Sequence, residues 1–583
     1  MSGIEPRRAL LCPRPIRRKS NMKNTLSSRA NEVLRAGLSE VSCAASEVPE
    51  NYRNPILPGF YPDPSICRVE DTFYLVNSSF EWFPGVPVFR SRDLVNWEQI
   101  GHAIDRIGML KELDIWAPTI RYHEGVFYLV TTELPGQVFF VTATDPAGPW
   151  SDPVYVEVDT AKVSAIDPSL YWDDDGTCWF AANDRLRTGT IKHWVWIQKI
   201  DLRPVERNGR WEATFSGERK YISEGSGVGP DNYAEGPHIF KTMGKYFLLI
   251  AEGGTWDNHA MSVLRTDDLN GPVDNWEKNP ANPILTHRDK TSPISATGHA
   301  DFVDTSKGDW WSVHLGVRKR DGKHRLGRET FLVPLEWVPD GKGSYWPTYN
   351  PDSGHQTLMV DRRPDLPWTP VPGVPEREEF DSKQLPLHWN FYNEPKNFDW
   401  LSLSDHPGHL RIRLRQEKAT DPGNCGFVGR RQQHHNFDVV TRFEFTTDKT
   451  HEVAGLMASI KFSHQMRLEL THREGRRYAI LHVVAGKPAD PVAELELNGE
   501  GPVYFALQAR DWDYQFLAGT SENDLRAVGG VQDARILSSE IAEGFTGSYV
   551  GLYASSQGVE SSAYADYDWF EYKPVEQDQC VFV

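Results

Sequence analysis

The sequence is poor in cysteine, lacks a long apolar run and carries no excess of positive charge. Each lack removes a class of protein. Six Cys in 583 residues stand at 12, 43, 67, 178, 425 and 580, with no Cys-x-x-Cys pair. That spacing offers neither a zinc-ligand set nor a disulfide framework. No apolar stretch approaches the roughly 18 residues that a membrane-crossing helix needs. Mean hydropathy is −0.52. Acidic residues outnumber basic ones by 81 to 63, for a formal charge of −18 and a pI of 5.5. Nucleic acids and anionic membranes select basic faces, so neither is expected as a partner.

Aromatic residues are plentiful: 20 Trp, 21 Tyr and 27 Phe. That content suits a sizeable core and not a disordered chain. The length suggests two or three domains. Residues 1–50 stand apart, with nine Lys and Arg against five Asp and Glu and no Trp, which leaves −22 on residues 51–583. They read as a disordered basic tail. Their best apolar stretch, Ala9-Leu10-Leu11-Cys12, stops at Pro13, short of a secretory h-region. An Arg- and Ser-rich start also fits a mitochondrial presequence, but Glu32, Glu40, Glu47 and Glu50 weaken that reading. A cytoplasmic location is the expectation.

From Asn51 the pattern turns β-like and repeats. An aromatic or apolar run follows a polar turn five times: Phe73–Val76, Phe127–Val130, Cys178–Ala181, Tyr246–Leu249 and Trp310–Val313. Each reads as the second half of a hairpin. The spacing leaves room for about four short strands per copy, the pattern of a β-propeller. Five blades are therefore expected over residues 51–350. A Pro-rich linker follows at 351–375. Residues 376–583 show alternating strands at 409–416, 440–445, 465–470, 491–497, 503–509 and 563–572, which suggests a β-sandwich. The fold class is all-β.

Ahead of each aromatic run lies a short polar sequence: Asp63-Pro64-Ser65, Ala117-Pro118-Thr119, Asp167-Pro168-Ser169, Glu235-Gly236-Pro237-His238 and Gly298-His299-Ala300-Asp301. Equivalent positions of a radial repeat face one axis. Asp63, Asp167, Glu235 and His299 should therefore converge at one mouth of the channel. A single Asp-Pro is an ordinary turn, but two copies in register with Glu-Gly-Pro are not. Clustered carboxyls suit glycoside hydrolysis, in which one acid protonates the leaving oxygen and a second carboxylate acts on the other side. Mutual repulsion and burial keep one of them protonated. A metal-ligand reading of Asp, Asp, Glu and His is the rival. It has no local ligand spacing to test.

These motifs carry a resemblance. Asn54-Pro55-Ile56-Leu57-Pro58-Gly59-Phe60-Tyr61-Pro62-Asp63-Pro64-Ser65 resembles the opening of glycoside hydrolase family 43. So do Ile115-Trp116-Ala117-Pro118, Ile166-Asp167-Pro168-Ser169, Ala234-Glu235-Gly236-Pro237-His238, Gly298-His299-Ala300-Asp301-Phe302 and Gly327-Arg328-Glu329-Thr330. The resemblance covers about residues 51–575. It is nearest to the β-xylosidases with a C-terminal β-sandwich. It implies a five-bladed propeller and an inverting mechanism. It implies Asp63 as general base, Glu235 as general acid and Asp167 as the group that orients and tunes the acid. Arg328 would bind sugar hydroxyls and keep a neighbouring carboxylate ionised. His299 matches an axial histidine that lies, in some members, near calcium or a water cluster. No cofactor is required by this reading, with calcium near His299 as an option. An inverting pair should stand about 6.5–9.5 Å apart, leaving room for water.

Other residues have a functional and a plain reading. Trp116 would wall the sugar site; otherwise it is a blade-core Trp. Phe80 and Trp82 resemble a pocket-lining loop; their alternative is packing between blades. Phe545 would close the pocket from the second domain; strand packing is favoured slightly. Trp310 and Trp311 read as core, Asp173-Asp174-Asp175-Gly176 as a solvated turn and His434-His435 as surface. Asn77-Ser78-Ser79 is a glycosylation sequon by pattern only. The expected activity is an exo-acting β-xylosidase on xylo-oligosaccharides, with arabinofuranosidase side activity. The rivals are an arabinofuranosidase or arabinanase on the same fold, and a non-catalytic carbohydrate-binding propeller. Oligomeric state is left open, a homo-oligomer among the options.

Overall fold

The computed structural model describes residues 48–575, apart from Glu112, Pro135, 159–162, 186–192, 205–209, 228–232, 289–291 and Ser353. The expected tail falls almost wholly outside the described residues. Strands dominate what is described. Five antiparallel sheets follow one another from Ser65 to Tyr349; four have four strands and one has a short fifth. Their first strands are Ser65–Val69, Thr119–His123, Ile166–Trp172, Glu235–Thr242 and Ile294–Asp304. These touch one another in a closed ring, so they surround the axis. The aromatic runs fall in the second strands: Thr72–Val76, Val126–Glu133, Cys178–Asp184, Lys245–Glu252 and Trp310–Arg318. Two of the hairpins turn through Glu124-Gly125 and Met243-Gly244, with positive φ at both residues. That backbone twist matches the twist of paired strands. The propeller expectation is met.

The ring is fastened by the chain that enters it. Tyr52–Arg53 pairs with Met359–Val360. Asn54 exchanges hydrogen bonds with the Leu332 backbone, 2.8 and 2.9 Å. Leu57 bridges to Thr330, and the Tyr61 N–H reaches the Arg328 carbonyl at 3.0 Å. Residues 52–61 thus lie along blade five, and this placement delivers Asp63 to the axis. The 351–375 segment also runs over the propeller. Leu366 is buried in the cluster with Trp97 and Trp311, and the Thr369 N–H donates to Asp93 at 2.8 Å.

Strands from Arg377 to Pro574 form two large sheets around one apolar core. Several expected strands appear, among them Asn436–Phe445, His464–Arg473 and Val503–Arg510. Val453–Lys461 and Tyr549–Ser555 were not legible because both their faces are buried. Without an exposed face there is no alternation to read.

The sandwich and propeller share a sheet edge. Trp82–Phe83, from blade one, pairs with Trp389–Tyr392 at the end of the eight-stranded sheet. Trp82 is fully buried and stacks on Tyr549, centroids 3.4 Å apart. This corrects the expectation for Trp82: it is a core residue between the domains and lines no sugar site. His435 is also corrected. It is buried, and its carbonyl accepts from Arg325 at 2.8 Å. Asn77 is buried too, donating to the Pro62 carbonyl at 2.9 Å, so the folded sequon is closed to modification.

Candidate active site

The first strands share one irregularity. In blade three, Ile166 pairs with Asn183 but Ser169 pairs with Ala181. Glu235 and His238 stand likewise to Ala251 and Leu249, and Gly298 and Asp301 to Leu315 and Val313. Two inner residues face one outer residue, which is a β-bulge. Blades one and two keep the spacing, through the Ser78 N–H to Pro62 and the Trp116 N–H to Thr132. The bulge opens on Asp63, Ala117, Asp167, Gly236 and His299. Asp63, Asp167, Gly236 and His299 have φ of 51°, 52°, 55° and 48°. A left-handed residue other than Gly costs about 1–2 kcal/mol, and such strain gathers at functional sites.

This register amends the sequence alignment. Gly236, not Glu235, is the structural partner of Asp63 and Asp167. Glu235 shares its place with Trp116, one residue earlier. A side chain at that place would be crowded: a Cβ on Gly236 would lie 3.0 Å from the His299 ring. Blade four presents its acid from the preceding position. Alignment on Pro64, Pro118, Pro168 and Pro237 carries this signal.

The side chains meet in one cavity of about 250 Å³. It is smaller than the about 300–1,000 Å³ of sites for drug-sized ligands, and suits one sugar ring. Asp63, Asp167, Glu235, Phe80, Trp116, His299, Arg328 and Phe545 all line it. Asp63 is buried and ion-paired to Arg328, Nη1 to Oδ1 2.7 Å. The Ser78 hydroxyl donates to its other oxygen. His299 Nδ1 stands 3.9 Å from Asp63 Oδ1. The Gly236 N–H donates to Asp167 at 3.2 Å. Burial raises the Asp167 pKa, partly opposed by His299, and the charge of Asp63 adds to the rise. Burial, then the charges of Asp167 and Asp63, pushes Glu235 up to about 8. A carboxyl that stays protonated near neutrality thus shares a pocket with a carboxylate held by a guanidinium. That pair can donate one proton and accept another.

Aromatic rings wall the carboxyls. Phe80, Trp116 and Phe545 contact one another with centroids 5.8–6.0 Å apart. Phe545 comes from the sandwich, so its site placement prevails over simple strand packing. Arg328 lies over Phe80 and Phe545 at 5.3 and 5.8 Å and donates to Thr255 at 3.3 Å. Beneath the site, Asp301 accepts from Ser65 and Arg121, each at 2.8 Å. Burial works against its charge, but Arg121, His238 and Ser65 outweigh burial and hold it at about 2. This ion pair ties blades one, two and five at the axis.

Sequence reasoning missed Asn183, His193, Tyr233, Thr255, Trp256 and His259, which also line the cavity. Asn183 was findable, because it stands near the end of the second strand, opposite Ile166. Thr255 and Trp256 lie in a turn after Gly253-Gly254, outside the aligned positions.

A calcium site beside His299 does not fit the donors. Calcium takes six to eight oxygen ligands. The neighbours of His299 are the imidazoles of His238 and His259, the Asp63 carboxylate already paired with Arg328, and the Asp167 carboxyl, which accepts from the Gly236 N–H. No group of three or more His, Cys, Asp or Glu suited to a metal occurs among the described residues.

The family model for glycosyl hydrolases family 43 matches residues 52–343. The chain belongs to glycosyl hydrolase family 43. A second model, the beta xylosidase C-terminal concanavalin A-like domain, matches residues 377–573. The family's relatives include a xylosidase/arabinosidase of Butyrivibrio fibrisolvens, 37% identical over 90% of this chain and 99% of its own. A non-reducing end alpha-L-arabinofuranosidase of Bacteroides ovatus is 36% identical over 90% and 95%. The crystal structure of a xylan beta-1,4-xylosidase from Bacillus halodurans superposes with a TM-score of 0.80 at 32% identity, over 90% of this chain and all of that one.

Proposed function

We propose that this family 43 hydrolase is an exo-acting β-xylosidase. It releases xylose from the non-reducing ends of xylo-oligosaccharides with inversion, and has α-L-arabinofuranosidase side activity. The observation that carries the reading is the meeting of Glu235, Asp63 and Asp167 in one walled cavity, where burial and neighbouring charge raise the Glu235 pKa and Arg328 holds Asp63. The names of the relatives support the sugar class. The small, walled cavity favours removal of one terminal sugar over cleavage within a chain.

In the proposed reaction, Asp63 accepts a proton from a water whose oxygen attacks the anomeric carbon. The bond from that carbon to the leaving oxygen breaks as Glu235 gives that oxygen its proton. The products are xylose of opposite anomeric configuration and a shortened chain. Asp167 is a positioning residue: its negative charge raises the pKa of Glu235. Arg328 holds Asp63 and presents donors to sugar hydroxyls. Phe80, Trp116 and Phe545 offer apolar faces to sugar C–H bonds.

Glu235→Gln tests the assignment. The variant should lose about 10²–10⁴-fold in kcat on xylobiose, the usual scale of acid catalysis. It should lose far less on β-xylosyl fluoride, whose leaving group needs no proton. Equal losses would contradict the acid role. Comparing nitrophenyl β-xyloside with nitrophenyl α-arabinofuranoside ranks the two activities.

A further inference from the structure

Trp256 is 64% exposed, the largest exposed fraction of any large apolar side chain among the described residues, and it lines the cavity. An exposed indole is the informative exception to burial. Here its position is built. Gly253 and Gly254 have φ of 82° and 64°. The indole folds back over Gly254, so that a Cβ there would lie 2.7 Å from a ring carbon. The Trp256 N–H bonds the Gly254 carbonyl at 2.9 Å, and its own carbonyl accepts from the His259 N–H at 2.9 Å. The next residue, Asp257, is ion-paired to Lys319. The preceding residue, Thr255, touches Arg328, which holds Asp63. The turn therefore runs from the catalytic depth at Thr255 to open solvent at Trp256.

We infer that Trp256 is the stacking platform for the leaving sugar, setting a preference for a pyranose ring on the far side of the cleaved bond. The inference rests on the exo-hydrolase reading above. In a one-ended pocket the sugar being released occupies the depth, and the ring beyond it lies at the mouth. The C–H face of a pyranose is flat and apolar, which matches an indole face open to water. The strand pairing puts the turn near the acid: Ala251, four residues before Thr255, pairs with Glu235. The protonated oxygen and the platform thus belong to one side of the bond.

The test compares a substrate that has a leaving ring with one that has none. For wild type, Trp256→Ala and Trp256→Phe, kcat/KM is measured on xylobiose and on β-xylosyl fluoride. The ratio of the two should fall about twofold to twelvefold in Trp256→Ala, a range set by aromatic contacts of roughly 0.5–1.5 kcal/mol. Trp256→Phe should recover most of it. A ratio that stays at the wild-type value in Trp256→Ala would overturn the platform. A parallel loss on both substrates would also overturn it, because a merely structural role gives that result. Wild-type protein that turns over neither substrate refutes the exo-hydrolase reading itself.

Discussion

The propeller axis and the sandwich core are both buried surfaces made by strands, yet they hold opposite contents. The axis buries Asp63, Asp167, Asp301, Arg328, His238 and His299. The sandwich core buries Leu456, Leu468, Phe505, Phe516 and Tyr567, packed as one apolar cluster. A regular ladder sends alternate side chains to one face, and an apolar face can then fill with hydrocarbon. A bulge in the same place of each first strand breaks that alternation at the axis and turns polar groups inward. Unpaired, such groups would be costly. Here Arg121 and Arg328 offset much of that cost. The difference teaches that the reactive centre is where the sheet geometry is irregular, and that the sandwich serves it from outside, through Phe545 and the seam at Trp82.

The sharpest way to break this division is at the seam. Trp82→Ala should destabilise the protein by about 3–5 kcal/mol, as for other buried Trp to Ala changes. Calorimetry should show a lowered Tm, with KM for xylobiose changed much less. A stable variant with a large KM defect would return Trp82 to the pocket.

The next effect is on pH. Glu235 is raised from 4.5 to about 8, so it is the protonated form that persists near neutrality. Hydrolysis should fall about tenfold per pH unit above about 8. Stability carries the same sign. The folded state favours neutral Glu235, a contribution fully present below about 4.5 and lost as pH rises towards 8. Glu235→Gln should therefore gain Tm over wild type across that window, measured by thermal melts at several pH values.

The smallest effect is at Phe545, half-buried at the site's edge. Phe545→Ala should raise KM on xylobiose about threefold to tenfold, with Tm nearly unchanged. A loss of Tm without a change in KM would move Phe545 into the sandwich core.

Much of this was legible in the sequence, for physical reasons. Blade number follows from repeated hairpins, because local strand patterns survive in the chain. The carboxyls follow from register, because symmetry carries one position to five places. The single-residue offset of Glu235 was hidden, since bulges leave no mark in hydrophobic alternation. The proline repeat was its one trace. Trp82 was misplaced because a two-residue strand pairing across domains has no local signal. Trp256 escaped notice because it stands in a turn, where nothing repeats. Of the 20 Trp, the 15 between residues 51 and 350 are mostly blade packing. Trp116 and Trp256 are the two that line the cavity.

The central claim is single displacement by the Asp63 and Glu235 pair. Proton NMR of the first turnovers on a β-linked xyloside tests it most directly. α-Xylose is expected as the first sugar to appear, with β-xylose growing in later by mutarotation. Initial release of β-xylose would contradict it.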